Sequence, residues 1–261
     1  MVLALTSHAW ADDAPDLSAG ETRITAEYSS SVLIFKVGEI TLSAHMSETT
    51  YFANTHIEAS GLAALFTDFD IRAEVSGQRG QTLSNPQSYS HIERTGDKVR
   101  SVDVSYGQAT ARAEVEPPFG SLGQPPASEH HRTDTVDPMS ALFLLSEMTA
   151  SSNDSVCSGR IPVFDGKARY DLRLEAGGFE DIRTRAWRGE ALICHIWYEP
   201  IAGYDPEDYP SEAELRHPLT VWLAPFQNGD IHIPVRLHTR AGFGGVTIQA
   251  VSLDIQGLQT P

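Results

Sequence analysis

The sequence is poor in cationic residues and in long apolar runs. Only 19 lysines and arginines stand against 35 aspartates and glutamates in 261 residues, so the formal net charge is −16. Because contacts to phosphates need clustered cations, this balance argues against nucleic-acid binding and against a polybasic contact with anionic lipid headgroups. The longest apolar runs, such as residues 1–5 and 141–145, fall far short of the roughly 18 residues that a transmembrane helix needs.

Common catalytic motifs are missing as well. The sequence has no G-x-S-x-G elbow, P-loop, H-E-x-x-H pair or Rossmann glycine pattern, and the glycines of residues 120–123 have the wrong spacing. Each of these motifs places a nucleophile, a phosphate or a metal at a defined point of a fold. We therefore predict a non-enzymatic protein without a cofactor. A hydrolase with a site assembled from scattered residues is the less favoured alternative.

Cysteine is scarce. Cys157 and Cys194 are the only two, and neither has a neighbouring cysteine, which excludes zinc ribbons and C-x-x-C redox motifs. In an oxidising compartment an isolated pair forms one structural disulfide. That bond would add about 4 kcal/mol of stability in the chain-entropy description. Two buried free thiols are the alternative.

The N-terminus has features of an export signal. Residues 1–11 (MVLALTSHAWA) contain a short apolar stretch followed by Ala9 and Ala11 in the A-x-A spacing that signal peptidase reads. We interpret residues 1–11 as the remnant of a signal peptide and residues 12–19 as disordered, which predicts a periplasmic protein. A short disordered tail on a cytosolic protein is the alternative.

Most of the chain alternates apolar and polar residues, as in antiparallel strands with one dry face and one wet face. The clearest segments are residues 40–46, 109–115, 169–175 and 230–238. Near the C-terminus the apolar set changes parity, which predicts a β-bulge near Ala250. Asn228-Gly229 between two such segments predicts a hairpin. The pattern indicates about a dozen strands.

Two helices interrupt this pattern. Asp137 followed by Pro138 is a helix cap with a first-turn proline, and it opens an apolar helix over about residues 138–149 that carries one charge, Glu147. Because nearly all of that surface must be covered, we predict a mainly β fold: a strongly curved antiparallel sheet or open barrel around one largely buried helix. A second, short helix is predicted at about 61–67. The proline-flanked loop 117–134 is predicted to be mobile and is a candidate lid, and residues 20–261 form a single domain.

Several segments carry a resemblance to a known family: residues 137–145 (DPMSALFLL), 157–170 (CSGRIPVFDGKARY), 194–204 (CHIWYEPIAGY), 221–234, 236–242 and 28–46. They resemble a bacterial family of exported proteins, domain of unknown function 3108. The order Cys, FDGKARYDL, Cys, PIAGY is the most specific part of the resemblance. The resemblance implies a periplasmic β protein. At a weaker level its layout is similar to the half-open barrels of periplasmic lipoprotein carriers, which wrap a curved sheet around a helix or an acyl chain.

Candidate ligand-binding residues come from the predicted helix and from the aromatic side chains. Leu142 and Leu145 lie on the helix, where they would line a groove if the helix can move. The aromatic candidates for an apolar groove are Trp187, Trp197, Tyr204 and Trp222, with Tyr198 beside them. Ordinary core packing with polar edges is the alternative use of such side chains.

Other polar clusters have simpler interpretations. His232 and His238, six residues apart on one strand, would be about 20 Å apart, too far to share a metal ion, and adjacent His130 and His131 lack further ligands. No metal site is predicted. Residues 205–214 are interpreted as a solvated acidic loop, and Asp165-Gly166 as a turn between two strands.

The sequence thus favours a periplasmic protein that binds a hydrophobic or amphipathic envelope component: a lipid, a lipoprotein or a peptide. The alternative is a structural or scaffolding factor for envelope integrity that acts through protein contacts. A carrier predicts an apolar cavity between the helix and the sheet, whereas a scaffold predicts a filled core and an exposed apolar patch. The sequence leaves the ligand and the oligomeric state open.

Overall fold

The computed structural model describes residues 17–257 except 19, 62, 80–83, 108–109, 151–156, 227–230 and 242–243. The predicted signal segment, residues 1–11, lies outside the described residues, as do most of residues 12–19 and the predicted Asn228-Gly229 turn. Phe226 nevertheless pairs with Ile231 on the two sides of that turn, as a hairpin requires.

The described chain forms one 13-stranded antiparallel sheet with a single long helix. The strands are β1 (Thr22–Val32), β2 (Phe35–Met46), β3 (Thr50–Ala59), β4 (Asp70–Arg79), β5 (Ser84–Thr95), β6 (Lys98–Gly107), β7 (Thr110–Glu116), β8 (Gly159–Phe164), β9 (Arg169–Arg183), β10 (Arg188–Ala202), β11 (Leu219–Phe226), β12 (Ile231–Ala241) and β13 (Gly244–Gln256). The helices are α1 (Pro138–Ala150) and the short α2 (Glu212–Leu215), with single 3-10 turns at Ala63–Leu65 and His130–Arg132.

The strand order shows how the sheet becomes a nearly closed barrel. Strands β1 to β7 form one meander and β8 to β13 another, and the pairing of β1 with β13 joins them. The two edge strands are therefore β7 and β8. The predicted mainly β barrel of about a dozen strands around one helix is confirmed.

The segment that leads into α1 spans the seam between those two edges. Thr133 bridges to Thr110 of β7, and Val136 bridges in parallel to Val163 of β8. The Val136 N–H donates to Pro162 O at 2.9 Å and its carbonyl accepts from the Phe164 N–H at 2.9 Å. Both edges thus gain partners for backbone groups that an open edge would leave unpaired, and α1 enters the interior at the seam.

One register shift occurs where the sequence changes parity. Glu27 pairs with Ser252 and Tyr28 pairs with Ala250, so Val251 is an extra residue in β13. This confirms the bulge predicted near Ala250. Other register shifts were not predicted, for example the bulge at Val235 of β12, because the residues around it keep an unbroken alternation in sequence.

The predicted short helix is reduced to one 3-10 turn, Ala63–Leu65. Leu65 is 74% exposed and Phe66 is 87% exposed. The apolar residues of this segment therefore have no buried face to pack, and without packing a helix this short is not stable.

The loop of residues 117–134 is held against the barrel, contrary to its predicted mobility. The Gln124 N–H donates to Tyr204 O, and the Gly203 N–H donates to Pro125 O, each at 2.8 Å. Gly123 has φ +89°, and a Cβ placed on it would lie 2.2 Å from the Gly203 carbonyl carbon. Only glycine permits this close crossing of two backbones.

A candidate ligand cavity beside helix α1

A buried polar network positions the start of α1. Asp137 Oδ1 accepts hydrogen bonds from the N–H groups of Met139 (2.9 Å) and Ser140 (2.8 Å), and Oδ2 accepts from the Ser140 hydroxyl at 2.5 Å. Tyr51 OH lies 2.7 Å from Ser140 Oγ. Since the Ser140 proton goes to Asp137, Tyr51 donates to Ser140. The predicted cap is present, and it also fixes the helix to β3.

The two faces of α1 have different surroundings. Ala141, Leu144 and Leu145 pack into a core with Ile161, Val163, Leu174, Val221 and Leu223 from β8, β9 and β11. The opposite face borders a cavity with Pro138, Met139, Leu142, Phe143, Ser146 and Glu147. The helix therefore divides the barrel interior into a filled half and a hollow half.

The wall of the hollow half follows from the strand register, because partners on neighbouring antiparallel strands point to the same face. One row of partners runs from Tyr28 through Ile40, Ile57 and Ile71 to Glu93 and Arg100. The adjacent row runs through Ala26, Leu42, Thr55, Ala73, His91 and Val102. The wall is thus apolar on β1 to β4 and becomes polar on β5 and β6.

The cavity has a volume of about 760 Å³. Ligand pockets for single small molecules span about 300–1,000 Å³ and are mostly apolar with a few polar groups. The open space leaves the Leu142 side chain accessible: this residue is 42% exposed although it belongs to the enclosed helix.

Most charged groups that border this cavity collect at one end, while Arg79 and Glu147 border it elsewhere as an ion pair at 3.6 Å. We define the polar corner as Glu93, Arg100, Asp165, Lys167 and Asp208, all of which border the cavity. Phe119, from the loop of residues 117–134, links them: the Arg100 guanidinium carbon lies 4.7 Å from its ring centre and Lys167 Nζ lies 5.7 Å away.

Lys167 is already paired within this corner. Its Nζ lies 3.0 Å from Asp205 Oδ2 and 3.7 Å from Asp208 Oδ2. The hydrogen bonds from Ser121 and Lys167 lower the pKa of the Asp205 carboxyl below its ordinary value. Arg100 Nε donates to Pro117 O at 3.3 Å. These contacts also tie the loop of residues 117–134 to the cavity.

Asp165 is the deepest carboxyl group of the polar corner. Its Oδ1 accepts from the N–H groups of Lys167 (2.9 Å) and Ala168 (2.7 Å), which makes the predicted turn between β8 and β9. Burial raises the pKa of this carboxyl above its ordinary value, an effect that these two N–H groups partly offset. Although it lies deep in the molecule, part of its surface borders the cavity.

His91 lies on the same cavity wall. Burial lowers the pKa of its imidazole, although Asp165 and Glu93 oppose that shift. Its Nδ1 is buried, and no hydrogen-bond partner is found among the described residues. Buried polar atoms are normally hydrogen-bonded to protein, water or ligand. The polar corner therefore offers charge to a molecule in the cavity, and His91 beside it offers a hydrogen-bonding group.

The sequence model of a protein of unknown function, DUF3108, matches residues 24–251. The chain belongs to the DUF3108 family. The resemblance of residues 137–145, 157–170 and 194–204 to this family is thereby confirmed. A search of curated proteins finds no match.

A solved structure shares the architecture of this DUF3108 protein. It is described as a β-barrel-like protein of domain of unknown function DUF1849 from Brucella abortus, with a TM-score of 0.55 and 10% sequence identity. The match covers 92% of this chain and 100% of the other. At this identity the likeness concerns the fold alone.

Two of the six candidate ligand residues of the DUF3108 chain border the cavity: Leu142 from α1 and Tyr204 after β10. The Tyr204 hydroxyl is hydrogen-bonded to the Tyr198 hydroxyl. Leu145 lies in the filled half instead and is 2% exposed. It lies roughly 60° around the helix from Leu142, just beyond the edge of the cavity-facing stripe, because each residue of an α-helix advances about 100°.

The three tryptophan candidates lie away from the cavity. Trp197 donates from Nε1 to Glu175 at 3.0 Å, and Trp222 donates from Nε1 to Glu180 at 2.8 Å. Trp222 points away from the interior, since its neighbours Val221 and Leu223 are the buried residues of β11. Trp187 packs at the β9–β10 turn, in a cluster with Ala224 and Ala250 among others. These contacts are those of packing residues with polar edges, which was the alternative use predicted for the aromatic side chains.

Most of the cavity wall was not predicted from the sequence. Ile40, Ile57 and Ile71 were visible as members of apolar faces, but their alignment in one row depends on strand pairing. His91 and Arg100 were missed because a polar residue on a dry face looks like a break in the alternation. That break was the available signal for the polar corner.

One group of potential metal ligands lies outside the cavity. His56, Glu58 and Asp70 place one ligand atom each within 4.8 Å of one another. In this structure His56 Nε2 is hydrogen-bonded to Asp70 Oδ2 at 2.6 Å. The group has the imidazole and carboxylate chemistry that suits zinc, and it is the set of described residues that could hold a divalent cation.

The cysteines form the predicted disulfide. Cys157 and Cys194 are bonded, with their Cα atoms 5.7 Å apart. The bond ties the segment after α1 to the middle of β10, next to the filled half of the barrel. Among the residues that the structure describes, none of the helices is long and apolar enough to cross a bilayer.

Proposed function

We propose that this protein is a non-enzymatic binding protein that holds an apolar or amphipathic small molecule in the cavity beside α1. The cavity itself carries the proposal. Its apolar wall, its volume of about 760 Å³ and the polar groups at one end match the usual form of a small-molecule site. A lipid or another envelope component with an apolar body fits this description.

We further propose that the protein works in the periplasm. The disulfide between Cys157 and Cys194 supports this location, since disulfides persist in oxidising compartments and are rare in reducing ones. The excess of acidic residues supports a carrier that does not adhere to anionic surfaces.

Filling the cavity tests the binding function. We expect Leu142→Trp to weaken binding of the uncharged apolar dye N-phenyl-1-naphthylamine by roughly tenfold or more. The added ring would occupy space in the cavity, because the Leu142 side chain already projects into it. The measurement is dye fluorescence on titration, excited outside the tryptophan band.

Ile92→Trp is the matched control for this experiment. Ile92 is 41% exposed, close to the 42% of Leu142, but it lies on the outer face of β5, between the inward-facing His91 and Glu93. Dye affinity should not change in this variant. Equal dye binding by the wild type and by Leu142→Trp, or no dye binding by the wild type, would rule out the cavity as the site.

A second candidate function is protein scaffolding, and one exposed patch favours it. The β1–β2 turn presents Leu33, Ile34 and Phe35, with Ile34 88% exposed, and the next turn on the same end of the sheet presents Leu65 and Phe66. The backbones are in contact, since the Ser60 N–H donates to Val37 O at 3.0 Å. Contiguous exposed apolar side chains mark interaction sites.

The two candidates separate in a complementation experiment in the source cell. If ligand binding is the function, Leu142→Trp should lose activity, while a double variant with Ile34→Asp and Phe66→Asp should keep it. The reverse result would assign the function to the exposed patch.

A further inference from the structure

We propose that the molecule held in the cavity is an amphiphile with a cationic polar end, such as a primary ammonium, and that this end lies against Asp165 in the polar corner. This inference rests on the proposed ligand-binding function and names the chemical class of the ligand. It is carried by the balance of charges around the cavity and by the depth of Asp165.

Carboxylates outnumber cations in the polar corner. Glu93, Asp165 and Asp208 border the cavity, against Arg100 and Lys167. Asp205 adds a further carboxylate, 3.0 Å from Lys167 Nζ. Because the Lys167 ammonium already has two carboxylates within 4 Å, it has little net attraction left for an anion that enters the cavity.

Arg100 has an opposite charge in register across the strand pair, although it forms no ion pair within 4 Å with that carboxylate. It faces Glu93 directly across the β5–β6 pair, stacks on the Phe119 ring and donates to Pro117 O. An opposite charge in register offsets the guanidinium charge at short range. A carboxylate or phosphate headgroup would therefore meet a corner of net negative charge, whereas an ammonium would be attracted to it.

Asp165 is the best-placed partner for that ammonium. The hydrogen bonds from Lys167 and Ala168 both go to Oδ1, so we place Oδ2 against the ligand. A buried carboxylate without a cation beside it is costly, and a hydrogen-bonded ammonium would offset that cost. Burial raises the pKa of the Asp165 carboxyl, and His91 on the same wall only partly opposes that shift.

The remainder of the wall is mostly apolar, with the ion pair of Arg79 and Glu147 as its charged groups, and it accounts for the apolar body of the ligand. Away from the polar corner the row of partners consists of Tyr28, Ile40, Ile57 and Ile71. The face of α1 opposite to it adds Leu142 and Phe143. An alkyl chain between these surfaces would leave the polar end of the molecule at Glu93, Arg100 and Asp165.

The test is displacement of N-phenyl-1-naphthylamine by three molecules with one common alkyl chain: dodecylamine, dodecanol and dodecanoate. We expect the amine to displace the dye at the lowest concentration, the alcohol next, and the carboxylate last, with roughly tenfold or more between amine and carboxylate. Dodecanoate that binds as tightly as the amine, or an amine weaker than the alcohol, would overturn the proposal. Absence of any dye binding would instead count against the proposed function.

Asp165→Asn tests the assigned partner. Asparagine keeps an oxygen that can accept from Lys167 and Ala168, so the turn should survive while the charge is lost. We expect roughly tenfold weaker binding of dodecylamine and unchanged binding of dodecanol, which also reports an intact cavity. Glu74→Gln, an exposed change on the outer face of β4, removes the same charge and should alter neither. Equal effects of the two variants on the amine would contradict a role for Asp165.

Discussion

Replacement of Cys157 and Cys194 by alanine should lower the free energy of unfolding by about 4 kcal/mol. The bond closes a loop of 37 residues, so its loss frees that segment in the unfolded chain. It also leaves two fully buried positions without the sulfur atoms that fill them. Urea unfolding, followed by far-ultraviolet circular dichroism, measures the change.

The wild type in excess reductant is the control for this double variant. The reduced wild type should show nearly the same loss, since it lacks the bond but keeps both side chains. A reduced wild type as stable as the oxidised protein would mean that the disulfide contributes nothing to stability.

Asp137→Ala should lower the free energy of unfolding by roughly 3 kcal/mol. The variant removes the N-cap of α1, and it leaves the Met139 and Ser140 N–H groups and the Ser140 hydroxyl without their acceptor. Loss of a cap costs about 0.5–2 kcal/mol and an unsatisfied buried donor about 1–3 kcal/mol. Urea unfolding again provides the measurement.

Asp137→Asn should keep the helix cap, unlike Asp137→Ala, and should change how the free energy of unfolding depends on pH. Asparagine caps helices as well as aspartate does, and it brings no charge into this buried position. Burial raises the pKa of the Asp137 carboxyl above its ordinary value of 3.8. Between the unfolded and folded pKa values the folded state binds more protons, so the stability of the wild type falls as pH rises through that range.

We therefore expect Asp137→Asn to gain stability relative to the wild type as pH rises from acid to neutral. A parallel pH dependence of the two proteins would show that the carboxyl is not destabilised by burial. Ser211→Ala is the control for capping, because Ser211 caps the exposed helix α2 and its loss should cost only about 0.5–1 kcal/mol.

Local patterns in the sequence predicted the elements of this fold well. Alternation over residues 40–46 and 169–175 marked β2 and β9, and Asp137-Pro138 marked the start of α1. The change of parity near Ala250 predicted the bulge of β13. These features are local, since side-chain period and capping depend on residues a few positions apart.

Local patterns failed where exposure or pairing decides the structure. The apolar residues of the segment 61–67 suggested a helix, but Phe66 faces solvent and only one 3-10 turn forms. Trp197 and Trp222 were candidates for an apolar groove, although both donate to carboxylates away from the cavity. Hydrophobicity alone does not specify which surface a side chain meets.

The sequence by itself determined a mainly β chain with one long apolar helix, two cysteines and an excess of acidic residues, because each of these follows from composition or short-range order. Only the tertiary structure decided that α1 fills one half of the barrel and leaves the other hollow. It also decided that Glu93, Arg100 and Asp165 meet at one end of that space. The reason is strand register: Tyr28, Ile57 and Arg100 are far apart in the chain, and pairing through neighbouring strands places them on one wall.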